Sequence, residues 1–285
     1  MKPAAFEYHR VSTIAEALTT LAQIAPEDGR VLAGGQSLLP AMAFRMARPG
    51  HLLDINRVHD LARAVQIDDA LSIGACVRHS AFHRPVIDNP LGRLLSLVVP
   101  NIAHYPIRTR GTFCGSIATA DPSSEWCCVA ATLDARMHVA NVRGARTIDA
   151  SDFFHGLMAT DLEPDELLSE VRLPLLHPEC RFGFEEFSRR HGDYALGMAL
   201  AVLRIEDGRI IDPRLGIGAA EPRPRRIPEA EAVLRDRQPT QALIEEAAAA
   251  AAAALDPLED GTTSAAYRRH LVRTLAIRAL EQALA

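Results

Sequence analysis

Residues 31–40 read VLAGGQSLLP. An apolar, strand-like run ends at Ala33, and the chain then passes through Gly34 and Gly35 before Gln36 and Ser37. Two adjacent residues without side chains let backbone approach another group closely or turn through positive φ. Consecutive N–H groups displayed by such a turn form a concave nest that binds phosphate oxygens. A second stretch, GTFCGS at residues 111–116, is an imperfect copy of the same device. One Gly-Gly turn reads as a tight turn and no more. Two of similar character predict a clamp that holds a diphosphate from both sides, with the hydroxyls of Ser37, Thr112 and Ser116 as further donors. The G-x-G-x-x-G of a Rossmann site is absent, as is the G-x-x-x-x-G-K of a P-loop. Any diphosphate therefore belongs to another binding fold.

The pattern around these motifs predicts a mixed fold. Ile14, Ala17, Leu18, Leu21 and Ile24 fall at helical spacing behind Ser12 or Thr13 as N-cap. Residues 30–33, 51–55 and 71–75 read as short strands, and a helix is expected over 85–103, starting near Asn89-Pro90. The Gly-, Ser- and Thr-rich stretch that follows reads as irregular, too polar for a core element, and turns helical from Ser123. Residues 137–142 read as a strand. Composition shifts near Pro174, where a domain boundary is expected. Beyond it lie strand candidates at 181–188, 196–205 and 214–220 and a Pro/Arg-rich connector. An Ala-rich helix over about 239–255 and a final helix over 264–283 complete the chain.

Bulk properties remove several function classes. The formal charge of −5 gives no support for nucleic acid as a partner. No apolar run approaches the length of a membrane span, and MKPAAFEYHR lacks the apolar centre of a signal peptide, so a cytoplasmic protein is expected. The five cysteines are odd in number and scattered, with Cys127 and Cys128 adjacent and no C-x-x-C, which fits buried thiols rather than disulfides, zinc or an iron–sulfur cluster. No serine sits in G-x-S-x-G and no nucleophile–base pair is supported by spacing. The hard chemistry is expected to come from a cofactor.

Three stretches carry a resemblance: VLAGGQSLLPAMAFRMARPGHLLDINRV, IRTRGTFCGSIATADPSSEWCCVAATLDA and FSRRHGDYALGMALAV. Together, and in this order, they resemble the FAD-binding medium subunit of molybdenum hydroxylases, the carbon monoxide dehydrogenase and xanthine dehydrogenase relatives. The resemblance implies an α+β chain with an FAD-binding fold of the vanillyl-alcohol-oxidase (PCMH) type over residues 1–174. That fold is divided into subdomains of about 1–57 and 58–174. A C-terminal domain over 175–285, a small antiparallel sheet with a helical bundle, is also implied. Leu32, Ala33, Gly34, Gly35, Gln36, Ser37 and Leu38 would hold the FAD diphosphate from one side, and Thr112, Gly115 and Ser116 from the other. Thr119 and Glu125 match positions at the phosphate or ribose end, Leu168 an apolar residue near the flavin, and Tyr194 an aromatic residue that screens the isoalloxazine. Implied partners are a large molybdopterin-containing subunit and a small subunit with two 2Fe–2S clusters, in a dimer of heterotrimers. Electrons would run from those clusters through FAD to an external acceptor.

Two departures from the family pattern matter. Cys114 stands where a glycine is usual in the second motif. A position needing positive φ or very close backbone contact would be strained by it. Gln36 stands where some flavoproteins of this fold carry a histidine that bonds flavin covalently, so a dissociable FAD is expected. Two other functions fit the same residues: a self-sufficient FAD-dependent oxidase or dehydrogenase, and a structural subunit with a weakened flavin site, for which Cys114 is the sole support. Trp126 reads as core packing, His104 as a structural or surface histidine, and Arg223, Arg225 and Arg226 as an exposed connector. Arg189 and Arg190 read equally as solvated or as facing the flavin or a partner.

Overall fold

The computed structural model describes residues 2–285. Its first helix, Ile14–Ile24, starts where the pattern placed it. The Thr13 hydroxyl accepts from the Glu16 N–H at 3.2 Å, and the Glu16 carboxylate accepts from the backbone of Ser12 and Thr13. This reciprocal capping box satisfies donors that a helix start otherwise leaves open. Ala17, Leu21 and Ile24 on the inner face are buried.

That face packs on a three-stranded parallel sheet, ordered Glu7–Arg10, His51–Asp54, Gly29–Leu32. Parallel strands deliver all their carboxyl ends to one edge, the edge at which open α/β sheets bind ligands. The AGGQS turn leaves from that edge, directly after Leu32. A second sheet is antiparallel, ordered Ala64–Ile67, Ala70–Gly74, Leu167–Pro174, Arg136–Asn141, Gly144–Asp149. Its central strand comes from the far end of the segment, so the sheet closes only when Glu170 returns to pair with Gly74.

The chain beyond residue 174 forms a third sheet, ordered Cys180–Phe187, Gly197–Glu206, Arg214–Gly218, Arg225–Arg226. Along Gly197–Glu206 the side chains alternate between two cores. Met198, Leu200 and Val202 join a core that runs back through the first two sheets. Ala199, Ala201 and Leu203 face the helices Pro228–Leu234, Gln241–Ala253 and Ala265–Leu284. The third sheet is thus a shared wall. Helix takes 37% of the chain and strand 27%, largely segregated, which makes the class α+β.

Three sequence expectations change. The helix expected over 85–103 is Pro90–Val98, followed by a single 3₁₀ turn. Proline disfavours helical backbone in the residue before it, and Asn89 is extended and caps the Gly92 N–H at 2.9 Å. The second glycine motif is not an irregular loop but the helix Phe113–Thr119. Burial of Phe113, Cys114 and Ile117 holds it there in spite of its polar composition. The Pro/Arg-rich connector is no solvated linker: Arg225 and Arg226 pair with the strand Arg214–Gly218, and their guanidinium groups bond Glu221, Glu231 and Asp134.

Candidate functional site

A cleft of about 440 Å³ opens between the first and second sheets. Ala33, Gly34, Gly35, Gln36, Ser37 and Leu38 line one side, and Thr112, Gly115, Ser116 and Thr119 another. Leu168 and Leu167 come from the central strand of the second sheet, and Leu21, Val31 and Ile55 add apolar wall.

The two glycine motifs lie back to back. A Cβ on Gly34 would stand 2.5 Å from the Arg110 carbonyl oxygen and 2.7 Å from the Gly111 Cα. Gly35 has φ +70°, a region open to glycine at little cost. Side chains fix the contact. Arg78 donates to the Arg110 carbonyl and to Asn56 Oδ1, and Asn56 Nδ2 donates to the Ala33 carbonyl at 2.8 Å. Gln36 Nε2 closes its own turn on the Gly34 carbonyl at 3.0 Å.

The turn leaves its backbone donors open. The backbone N–H groups of Gly34, Gly35, Gln36 and Ser37 meet no acceptor among the described residues. In the second motif the Thr112 hydroxyl accepts from the Gly115 N–H at 3.0 Å, and Thr119 donates to the Gly115 carbonyl at 2.8 Å. The Ser37 and Ser116 hydroxyls carry no side-chain hydrogen bond within the described chain, unlike those of Thr112 and Thr119. Four consecutive unpaired N–H groups beside free hydroxyls suit an anion with several oxygens, and the apolar wall suits a ring system.

Comparison with known proteins gives this cleft a family. Residues 4–176 match the model for the FAD binding domain in molybdopterin dehydrogenase, and residues 182–283 the CO dehydrogenase flavoprotein C-terminal domain. The chain belongs to the FAD-binding medium subunits of the molybdenum hydroxylases. The nicotine 6-hydroxylase medium subunit of Paenarthrobacter nicotinovorans is 37% identical, with 99% of each chain covered. Carbon monoxide dehydrogenase from Hydrogenophaga pseudoflava superposes with a TM-score of 0.95 at 33% identity, over 100% of this chain and 99% of that one. Quinoline 2-oxidoreductase from Pseudomonas putida 86 superposes with a TM-score of 0.92 at 36% identity, over 99% and 98%. The donor set described above fits the FAD that this family binds: amides and hydroxyls for the diphosphate, apolar side chains for the rings.

Cys114 does not strain the flavin-binding motif. It is helical, without positive φ, and its thiol turns inward to donate to the Ile73 carbonyl at 3.2 Å. Burial pushes that thiol far above its usual range, so it is an inert core group. All five cysteines are free, four of them buried and Cys180 half-buried.

Three expected site residues do not line the cleft. Leu32 ends its strand beneath Gly35. Tyr194 is 71% exposed on the loop between the strands Cys180–Phe187 and Gly197–Glu206. That loop is fastened to the turn after the second motif, where Ser123 Oγ donates to the Ala195 carbonyl at 3.1 Å. Partial burial, with the charges of Asp121 and Glu125, raises the Tyr194 hydroxyl above its usual range. Glu125 is buried against Glu186 of the third sheet. Burial drives both carboxyls well above the ordinary range, and Glu186 Oε2 has no hydrogen-bond partner. The pair holds a proton at neutral pH, because two buried carboxylates side by side cannot both ionise.

His79 lines the cleft and has no motif around it in the sequence. Its Nδ1 accepts from Trp126 Nε1–H at 2.9 Å, which leaves the proton of the neutral ring on Nε2. Burial, then Arg78 and Arg108, push its pKa down to about 3, so it stays neutral. Trp126 itself is fully buried against Phe82 and Phe113. His104 is exposed, with its ring against Gly192. No helix among the described residues is long and apolar enough to cross a membrane.

Proposed function

We propose that this chain holds FAD non-covalently in the cleft and serves as the electron-transfer subunit of a cytoplasmic molybdenum hydroxylase. Its partners are a large molybdopterin-containing subunit and a small subunit with two 2Fe–2S clusters, in a dimer of heterotrimers. Residues 1–174 form the flavin-binding unit, in subdomains of about 1–57 and 58–174, and residues 175–285 the C-terminal unit. The observation that carries the cofactor assignment is the run of four unpaired N–H groups from Gly34 to Ser37 at the cleft wall. These amides hold the diphosphate from one side, with the Ser37 hydroxyl. Thr112 and Ser116 offer hydroxyls from the other, beside Gly115, which has no side chain to block the approach and whose own N–H is taken by Thr112. Leu168 and Thr119 flank the cofactor within the cleft. His79 offers an uncharged N–H donor at the same wall, and Tyr194, outside the cleft lining on the exposed loop that Ser123 fastens beside the second motif, would screen the isoalloxazine from the solvent side once the cofactor is bound. Gln36 has no ring nitrogen for a covalent link, and its amide is engaged by Gly34.

FAD, when bound, takes up electrons singly or in pairs and passes them to an external acceptor. The residues of this chain bind, orient and shield it. Among the described residues that line the cleft, His79 is neutral and locked by Trp126, the Glu166 carboxylate is taken by Arg146, and the Cys114 thiol bonds the Ile73 carbonyl, which leaves Glu163 as the one lining carboxylate without a side-chain partner. Similarity to medium subunits along the whole chain favours an electron-transfer subunit over a self-sufficient oxidase.

Stopped-flow spectroscopy separates the two. In the assembled complex, the complex's own organic substrate reduces the flavin. With the isolated chain the same substrate leaves the flavin oxidised, although dithionite reduces it. Substrate-driven reduction by the isolated chain would overturn the proposal in favour of an oxidase.

A further inference from the structure

The opposite end of the first sheet carries a group of side chains that the flavin site does not use. Glu7 and His9 sit on the strand Glu7–Arg10, two residues apart and so on one face. His51 opens the central strand, in register with Glu7 on one side and Gly29 on the other. His9 Nε2 and His51 Nδ1 are 3.0 Å apart, and Glu7 Oε2 lies 3.7 Å from His51 Nδ1. One ligand atom from each of the three falls within 4.8 Å of the other two.

These separations match a metal centre. Zinc holds nitrogen and oxygen ligands at about 2.0–2.2 Å, which places tetrahedral ligand atoms about 3.3–3.5 Å apart. The observed 3.0 and 3.7 Å bracket that spacing. The second observation concerns the outer nitrogen of His51. His51 Nε2 is 3.3 Å from Glu27 Oε2, at the end of the 3₁₀ turn that precedes the strand Gly29–Leu32. A carboxylate there holds the proton on Nε2 and leaves Nδ1 as a lone pair turned toward His9 and Glu7. Carboxylate–histidine pairs of this kind orient metal-binding imidazoles. The His51 side chain is only 15% exposed and its ring is held, while Glu7 is 75% exposed and leaves solvent access for the ion.

We propose that Glu7, His9 and His51 bind a borderline divalent cation of the Zn²⁺ class, with Glu27 orienting His51 and water completing the coordination. The three ligands lie at the end of the sheet away from the flavin cleft, so the role is structural: the ion clamps the N-terminal strand to the centre of the sheet whose other end presents the AGGQS turn.

The test uses the full-length chain without a histidine tag, stripped with chelator and titrated with Zn²⁺ alone by calorimetry. The expected result is one saturable equivalent per chain in the micromolar range or tighter. His9→Gln and His51→Gln should each abolish that equivalent, and Glu27→Gln should weaken it about tenfold. FAD uptake by each variant verifies its fold. Co²⁺ in place of Zn²⁺ reads the unsubstituted chain directly, through the visible bands of a tetrahedral nitrogen–oxygen site. A chain that binds no saturable equivalent overturns the proposal. So does an equivalent that survives both histidine substitutions, which would leave His9 and His51 as a simple hydrogen-bonded pair.

Discussion

Gly34→Ala tests whether the two glycine motifs act as one unit. The new methyl would start 2.5 Å from the Arg110 carbonyl oxygen and 2.7 Å from the Gly111 Cα, and both must retreat to the 3.4 Å at which ordinary contact begins. Neither obstacle is a flexible side chain. Arg110 and Gly111 are held by Arg78 and by the His79 N–H, which donates to the Gly111 carbonyl at 3.0 Å. Overpacking against fixed backbone costs about 1–3 kcal/mol. The strain must separate the motifs, and so falls on the diphosphate clamp as well as on the fold. If the whole of it appears in binding, FAD affinity falls about 5- to 150-fold, at 1.4 kcal/mol per tenfold. Titration of the apo chain with FAD, followed by flavin fluorescence, measures this directly, and thermal melts of the apo chain measure the share borne by the fold. Gly35→Ala is the matched control. Its strain comes from φ +70°, with only leucine side chains near the new methyl, so its cost lies within its own turn. If Gly34→Ala bound FAD as tightly as the parent and melted at the same temperature, the rigid back-to-back contact would be refuted.

Three further outcomes follow from the same geometry. Cys114→Gly should leave FAD affinity within about twofold and lower stability by about 1–3 kcal/mol, because it deletes a buried thiol and places glycine in a helix; a large gain in affinity would revive the weakened-site reading. Glu186→Gln should stabilise the apo chain at alkaline pH. The carboxyls of Glu125 and Glu186 titrate higher in the folded than in the unfolded chain, so their stabilising effect is complete below the ordinary carboxylate range and is lost as pH rises toward about 9. The loss runs at about 1.4 kcal/mol per pH unit while the native pair holds one extra proton. Urea midpoints of parent and variant between pH 5 and 9 should diverge; parallel curves would count against a shared proton. His79→Ala should leave the buried Trp126 N–H unpaired, at about 1–3 kcal/mol, and also weaken FAD binding. Equilibrium unfolding and FAD titration read the two effects, and a variant as stable as the parent would contradict the bond.

Legibility in the sequence followed the range of the interactions. The capped helix at Ile14 and the AGGQS turn were readable, because Thr13, Glu16, Gly34 and Gly35 act on their own neighbours. The second motif misled because a polar, glycine-containing stretch reads as a loop. Only the burial of Phe113, Cys114 and Ile117 against other elements makes it a helix. Cys114 looked like damage for the same reason, since the direction in which its side chain points is set by Ile73, far away in the chain. Arg225 and Arg226 looked like a connector until Glu231 and Asp134 were brought to them. His79 and the Glu125–Glu186 pair carry no local signal at all. Each is defined by a partner on another element: Trp126 in the one case, the third sheet in the other.

The central claim is that the cleft between the first two sheets binds FAD reversibly. The most direct measurement is the visible absorption spectrum of the purified chain, taken before and after incubation with FAD and removal of the excess, then again after denaturation and filtration. The account predicts one flavin per chain, released in full into the filtrate on unfolding, and lost in proportion when Gly34 carries a methyl group. A chain that takes up no flavin, alone or with its partner subunits, would contradict it, as would flavin that stays with the denatured polypeptide.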